Sequence, residues 1–391
     1  MKKILYLTFY FEPDLSACSF RNSPLVKELA RQAAGQARVD VVTTFPNRYE
    51  ASLISERVSP VEEGEGYTVY RFQVPENRGG MKSQVLSYQA YFRAVRKFAR
   101  KRRYDLVVAS TAKLFTGYLA HTIAQKQNIP LYLDVRDLFH ENLDNMLKEG
   151  LTKRLGLPAI KRVERRTFSG AAHINLISGG FRPNFAEYPK PDYSYFTNGI
   201  DNLFLDHAPE ADRPVNSPFR VVYAGNIGEG QGLHKIIPEA AQRLGDEYEF
   251  VVIGDGGNKA ELVARTEALG VENVEIRKPV MREELLEIYR DCDFTFVHLN
   301  DYDSFKKVIP SKIFELACFP QPMVAGVSGF SNRFISDHVD NHILFHPCDV
   351  DGLVGQLRKF EYRQVRRSGF MDEFRRSAIN EKMAKSMLRY L

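Results

Sequence analysis

At 391 residues the chain exceeds what one hydrophobic core usually serves, so two domains are expected. Its 44% apolar and 26% charged residues exclude a disordered or fibrous chain, and no stretch reaches the roughly 20 apolar residues of a membrane span. The net charge of +5 is polarised: residues 1–205 carry 30 Lys and Arg against 20 acids, residues 206–357 carry 14 against 25, and such asymmetry points the first half at an anionic partner, membrane surface or nucleic acid.

The N-terminal apolar run resembles a signal peptide but breaks at Glu12-Pro13 without a small-residue cleavage site, so residues 4–9 are predicted as a first buried strand. A helix over 25–34 follows, with Gly35 in position to cap it. Then come a strand at 39–43, a polar stretch at 51–82 holding a strand at 67–72, and a helix over 85–103. Residues 88–103 carry seven cations and no acid, and Tyr88, Phe92, Val95 and Phe98 share one face of that helix. Strands at 105–109, 131–135 and 174–177 alternate with helices over 114–127 and a region reaching about 168, and a short strand is expected at 195–197. Residues 206–217 are polar and bear prolines, which makes them a linker. The second half restarts with strands at 220–224, 250–253, 274–276 and 294–299 separated by helical segments. Repeated strand–helix units of this kind build parallel sheets covered on both faces, hence two Rossmann-like domains facing a central cleft.

In open parallel sheets ligands sit beyond the carboxyl ends of the strands. Three loops of the second half end there with phosphate-compatible chemistry. Gly225-Asn-Ile-Gly-Glu-Gly-Gln-Gly232 and Gly254-Asp-Gly-Gly-Asn258 both run from a strand toward a helix, where glycine lets backbone amides approach an anion. The third is the entrance of a short helix at Ser311, predicted to be its N-cap after Pro310. Glu315 leans back toward that entrance, placed to accept hydrogen bonds from a ribose diol. The plain alternative for Lys312 and Glu315 is a surface i, i+3 ion pair. The first strand–helix loop contains no glycine, which disfavours NAD.

These residues, with Tyr223-Ala-Gly-Asn-Ile-Gly-Glu-Gly-Gln-Gly-Leu233, Pro310-Ser-Lys-Ile-Phe-Glu315, Asp134-Val-Arg-Asp-Leu-Phe139 and Asn198-Gly-Ile-Asp201, resemble the retaining GT-B glycosyltransferases of family 4. The likeness extends to the branch building O-antigen and other bacterial surface polysaccharides, including N-acetyl-L-fucosamine transferases. It implies an acceptor-binding domain at 1–205, a linker at 206–217, a nucleotide-sugar domain at 218–375, and a final helix from 376 to 391 packing back on the first domain. It further implies transfer of a HexNAc or deoxy-HexNAc from a UDP-sugar to a polyprenyl-diphosphate-linked or lipid A-linked saccharide. The setting would be cytoplasmic and peripheral on the inner face of the plasma membrane, with no metal and no cofactor beyond the sugar nucleotide. By the same resemblance Glu315 holds the ribose, and Lys312 with the Ser311–Ile313 amides lies near the diphosphate. Gly225, Asn226, Ile227 and Gly228 cover the phosphates and sugar, Gly254 and Gly256 belong to the same donor pocket, and Arg277 and Lys278 hold the base. Arg21, Arg136, Asp137 and His140 face the sugar and acceptor. Two other classes are compatible with this plan: a UDP-sugar epimerase and a non-catalytic sugar-nucleotide sensor.

The sequence departs from the family at three positions. Lys307 stands where the first carboxylate of the family's Glu-x7-Glu motif is expected, and Asn226 and Gln231 replace phosphate-binding cations. Asp301-Tyr-Asp303 has the form of a metal-binding DxD but follows a strand of the second domain, the wrong context, and reads as a polar loop. Nine histidines show no metal-ligand spacing, and His298 at a strand end is expected to be structural. Four scattered cysteines imply neither zinc nor disulfides and fit a reducing compartment. For the basic 88–103 helix, anionic lipid is a better partner than nucleic acid, since no nucleic-acid-binding module accompanies it.

Overall fold

Two parallel sheets organise the chain. The structure, a computed structural model, describes residues 1–14, 16–46, 58–75, 81–111, 114–138 and 151–391. They divide into two compact units, Met1–Thr197 with Ser377–Leu391, and Asn198–Arg376.

Unit 1 contains strands β1 (Lys2–Leu7), β2 (Ala37–Thr44), β3 (Val61–Gly64), β4 (Tyr67–Phe72), β5 (Leu106–Ser110), β6 (Leu131–Val135), β7 (His173–Leu176) and β8 (Asp192–Ser194). They lie in the order β3-β4-β2-β1-β5-β6-β7-β8, parallel except for the β3–β4 hairpin. Helices α1 (Ala17–Gln32), α2 (Met81–Arg100), α3 (Leu114–Gln127) and α4 (Leu151–Ser169) connect them. Because β1, β5 and β6 are near-continuous buried runs, both faces of the sheet must be covered there. Leu25 and Leu29 of α1 and Ala33 at its C-terminal cap pack on Ile4, Val39, Val41 and Leu106, joined by Met383 and Met387 of the last helix.

Unit 2 contains β9 (Phe219–Asn226), β10 (Tyr248–Asp255), β11 (Val274–Arg277), β12 (Phe294–His298), β13 (Met323–Gly326) and β14 (His342–Phe345) in the order β11-β10-β9-β12-β13-β14, all parallel. This is the doubly wound order, in which the strand sequence reverses between β9 and β12. Its helices are α5 (Asn202–Asp206), α6 (Ile237–Leu244), α7 (Lys259–Ala268), α8 (Arg282–Arg290), α9 (Lys312–Leu316), α10 (Gly329–His338), α11 (Val350–Lys359) and α12 (Ser368–Glu373). The chain then returns to unit 1 as α13 (Arg376–Leu388).

The division falls at Thr197/Asn198, so residues 206–217, expected to be a linker, lie inside unit 2. Hydrogen bonds strap them there: Asn216 Nδ2 donates to Asp293 Oδ2 at 2.9 Å, and Arg213 pairs with the fully buried Asp293. Polarity marked an anchoring segment rather than a free one. The chain instead crosses between units at Thr197–Asn198, and just beyond it, within unit 2, Ile200 N donates to Phe374 O (2.7 Å) and Arg376 N to Ile200 O (3.0 Å). The last predicted strand of unit 1 is displaced too, lying at Asp192–Ser194 rather than 195–197.

Candidate active site

The glycine loops after β9 and β10 are built against each other. The strands pair in register through Gly225 with Gly254 and Asn226 with Asp255. A Cβ on Gly254 would lie 1.8 Å from the Gly225 carbonyl oxygen, and one on Gly256 would lie 2.5 Å from that of Ile227. Gly225, Gly254 and Gly256 also sit at φ of 156°, 150° and 155°, values that L side chains rarely adopt. The first demand on these glycines is therefore close packing of two backbones where the strand order reverses. Ile227 is the plug of this arrangement. It is buried in the core, its amide donates to Asp255 O at 2.8 Å, and its carbonyl accepts from Asn258 N at 2.9 Å. Ile227, expected to meet the donor, has its side chain in the core and both its amide and its carbonyl spent on neighbouring backbone.

The loop surface stays open. Asn226 is exposed and donates to Gln231 at 2.6 Å, so the two residues standing in for cations satisfy each other. Gly228 leaves room for the Asn226 amide, which a Cβ would approach to 2.5 Å. Lys312 crosses to this loop from α9: a Cβ on Gly225 would sit 2.6 Å from Lys312 Cε and 3.5 Å from its Nζ. Lys312 thus points at the Gly225 loop and closes no ion pair with Glu315. Burial pushes its ammonium below the ordinary lysine value; Glu315 opposes this and Arg282 adds to it. Tyr223, buried beneath, steadies the loop by donating to Asn226 O at 2.7 Å.

The entrance of α9 departs from expectation. Ser311 is itself in helical geometry (φ −59°, ψ −27°), is exposed, and makes no capping bond with its hydroxyl. Pro310 O takes the Ile313 amide at 3.1 Å and Ser311 O takes that of Phe314 at 3.2 Å. The turn tightens one residue early, so the Ile313 amide is already used and its side chain is buried. With five residues α9 also has little macrodipole. What α9 contributes to the loop is the Lys312 ammonium, with the half-buried Glu315 one turn on.

Two arginines extend the positive charge. Arg282 and Arg376 both reach Asp201 Oδ2, at 3.2 and 2.7 Å, and Arg376 feels both Glu315 and Arg282. Asp201 belongs to the Asn198-Gly-Ile-Asp motif; its two partners lie at distant sequence positions with no pattern to mark them. Lys259 belongs to no motif of the sequence, yet its Nζ donates to Gly254 O (2.7 Å) and Arg277 O (3.1 Å), tying the ends of β10 and β11 together. The Arg277 guanidinium is occupied by Glu275 at 2.8 and 2.6 Å, leaving backbone at that strand end, and Lys278 is exposed. Glu229, in the middle of the glycine loop, accepts from Tyr302 (2.6 Å), Asn300 (2.9 Å) and Lys235 (3.0 Å) and so fixes the loop to the end of β12.

His298 is structural, as its strand-end position suggests. Its Nδ1 contacts Gln231 O at 2.6 Å and its Nε2 accepts from Cys348 N at 3.0 Å, which sets the neutral tautomer; burial lowers its pKa to about 4. Asp303 pairs with Lys306 at 2.7 Å. Among the described residues no three His, Cys, Asp or Glu side chains converge as metal ligands do.

In unit 1, Arg21 is corrected from acceptor contact to core tie. Its side chain is 3% exposed. Its Nε and Nη2 donate to Asp134 at 3.0 Å each, Nη1 donates to Thr197 O at 2.6 Å, and Nη2 also to Phe196 O at 2.8 Å. Burial opposes the Asp134 charge, but Arg21 and Asn175 outweigh it and hold the carboxyl below its ordinary range. Buried charge needs such pairing, and Asp134 is fully buried on β6, where Arg136 adds a weaker pull in the same direction as Arg21. Two residues on, the chain leaves the sheet and Asp137 emerges. It is exposed at the mouth of a cavity of about 630 Å³ floored by Phe168, Phe185 and Tyr188, with Arg162 and Lys161 on its wall. Partial withdrawal from water pushes the Asp137 carboxyl up to about 6, against the opposing pull of Arg136, which is half-buried beside it. His140 lies outside the described residues.

Comparison with known proteins matches both halves. Residues 23–192 match the family described as Glycosyl transferase 4-like domain, and residues 208–380 match Glycosyl transferases group 1. The chain carries the two domains of a GT-B glycosyltransferase. A curated relative, the putative colanic acid biosynthesis glycosyl transferase WcaI of Escherichia coli K12, is 25% identical over 339 residues, 80% of each chain. Among solved structures, Anabaena Alr3699/HepE in complex with UDP-glucose superposes with a TM-score of 0.66 at 14% identity over 100% of both chains. The lipopolysaccharide outer core galactosyltransferase WaaB gives 0.65 at 13%, again over 100% of both. At these identities the structures establish the fold.

Proposed function

We propose that this glycosyltransferase moves a HexNAc or deoxy-HexNAc from a UDP-sugar to a lipid-linked saccharide in bacterial surface polysaccharide synthesis, with retention at the anomeric carbon. The observation that carries the donor half is Lys312 laid against Gly225 where the strand order of unit 2 reverses, a placed cation beside an exposed glycine loop. Lys312, with Arg282 and Arg376 behind it, would stabilise the charge growing on the leaving diphosphate. Glu315 would take the ribose hydroxyls, and the loop surface of Gly225, Asn226 and Gly228 would cover phosphate and sugar. Among the described residues none is assigned as a carboxylate nucleophile, and the reading is front-face displacement: the bond from the anomeric carbon to the diphosphate oxygen breaks as the acceptor oxygen bonds on the same face. The acceptor's proton then passes to the departing oxygen. Metal is not required in this reading, since side-chain cations neutralise the diphosphate.

The related chain named for colanic acid synthesis and the structures named for UDP-glucose and lipopolysaccharide support the substrate classes. On the acceptor side, Asp137 and Arg136 would meet the saccharide. No described helix is long and apolar enough to cross a membrane. Peripheral attachment is proposed through the basic end of α2, aided by exposed Val85 and Leu86 at its start and Phe115 at the start of α3, which are 49%, 57% and 41% exposed.

The deciding experiment incubates the protein with UDP-HexNAc, with and without a polyprenyl-diphosphate-linked saccharide. The expected products are UDP and an extended acceptor whose new linkage keeps the donor's anomeric configuration by NMR. Isomerised UDP-sugar without acceptor, binding without turnover, or an inverted linkage would each overturn the proposal.

A further inference from the structure

Helices α2, α3 and α4 lie side by side on one face of the unit 1 sheet, as three crossovers running in the same direction require. Together they carry twelve Lys and Arg, five on α2, one on α3 and six on α4, against one acid, Glu164. At the seam between α3 and α4 a cavity of about 450 Å³ opens, lined by Tyr118, His121, Thr122, Gln125, Arg166 and Ser169. No carboxylate lines it. Both helices finish here and turn into the starts of β6 and β7, so the cavity lies at the amino edge of the sheet, away from Asp137.

Its chemistry is one-sided. His121 is 4% exposed, and its buried Nδ1 has no hydrogen-bond partner. Gly170 makes room for the ring, since a Cβ there would come within 2.3 Å of Cε1 and 2.4 Å of Nδ1. Tyr118 stacks on its other side with ring centroids 6.4 Å apart. Burial first, then the charge of Arg166, pushes the imidazole below its ordinary pKa. Arg166 is exposed, and no ion pair holds its guanidinium among the described residues. A buried polar atom without a partner and a cation without a counter-ion share one cavity, in a helical layer of high positive charge. An anion would pair with Arg166, and a turn of the His121 ring would bring its unpartnered Nδ1 to the same anion as a second donor.

We infer that the α3–α4 cavity binds a phosphate group, as a monoester or diester. Arg166 supplies a two-pronged donor, and Gln125, Ser169 and His121 supply further donors for the remaining oxygens. A tetrahedral anion suits donors arriving from two helices better than a planar carboxylate does. The site is separate from sugar transfer and does not rest on it.

The test measures binding of inorganic phosphate to the full chain by isothermal titration, with UDP present in excess so that any donor-pocket binding is masked. Saturable binding is expected, weakened at least about tenfold in Arg166→Gln, the scale of one charge-assisted hydrogen bond. Ser169→Glu, which puts a carboxylate at the rim, should weaken it as much, and both exposed substitutions leave the fold and sugar transfer intact. Parallel arms use glycerol phosphate and phosphatidylcholine vesicles with or without phosphatidic acid. Arg166-dependent retention on the acidic vesicles identifies a lipid headgroup as the source; dependence only with the soluble phosphates identifies a free phosphoester. Unchanged phosphate affinity in Arg166→Gln, or no saturable binding to the native chain, overturns the inference.

Discussion

Lys312 shows how one side chain chooses between two roles. An ion pair with Glu315 on an exposed helix face would contribute a few tenths of a kcal/mol, and the ammonium turns to Gly225 instead. Replacing Lys312 with alanine should raise KM for the UDP-sugar and lower kcat, together costing about 2–3 kcal/mol in kcat/KM, the worth of a charge-assisted hydrogen bond. Initial rates across donor concentrations check this, and unaltered constants would remove Lys312 from the site. Asp137 offers a pH signature. Its carboxyl lies near 6, so if the ionised form orients the acceptor, acceptor-dependent turnover rises through about pH 6 and Asp137→Asn flattens the profile. For His298 the sign runs through stability. Its folded pKa, about 4, is below the usual imidazole value, so its contribution is complete above about pH 6.5 and is lost as pH falls toward 4. Urea titrations between pH 4 and 7 should show this loss, and His298→Gln should lessen it.

At the scale of elements, the glycine loops behave as a joint between strands. Gly254→Ala forces a methyl group onto the Gly225 carbonyl at a φ of 150°. A cost of at least about 3 kcal/mol is expected from clash and strain together, read as a lowered denaturation midpoint with UDP binding lost. Gly355, inside α11, has nothing within 4 Å of an added Cβ. There the same change should stabilise by about 0.5–1 kcal/mol. Two glycines with identical chemistry thus receive opposite expectations from their neighbours. Helix α2 also works on two sides. Tyr91 is fully buried, and its one hydroxyl proton lies between Thr8 O and Val42 O, at 3.0 and 2.8 Å from the oxygen that carries it, while cations fill the solvent side. Leu86→Glu at its exposed start should weaken binding to anionic vesicles without altering thermal stability, and added salt should weaken the native protein in the same assay.

For the whole molecule, the tie that matters within unit 1 is Arg21 with Asp134. It joins α1 to strand β6 and to the chain just before it crosses to unit 2, with Met383 of the returning helix at 3.5 Å. Removing one partner strands a buried charge, so Arg21→Ala should cost about 3–5 kcal/mol, lowering the unfolding temperature whether or not substrate is present. A residue that met the acceptor would instead change KM and leave stability alone.

Much of this protein is legible from its residues in order. Apolar runs of strand length separated by helical periodicity dictate two doubly wound sheets, and the glycine loops and Asp134-Val-Arg-Asp mark their carboxyl ends. Those signals are local, and the backbone obeys them wherever a core is available. What only the tertiary structure decided is which side of each motif faces outward. Arg21 and Asp137 both looked like acceptor contacts, yet Arg21 is consumed by an aspartate 113 residues away while Asp137 is exposed. Ile227 and Ile313 carry amides in the right loops, but those amides are spent on neighbouring backbone. Arg282 and Arg376 meet at Asp201 with no sequence pattern to announce them. Pattern determines where a strand ends; the partners of a buried charge or amide depend on chain segments brought together only by folding.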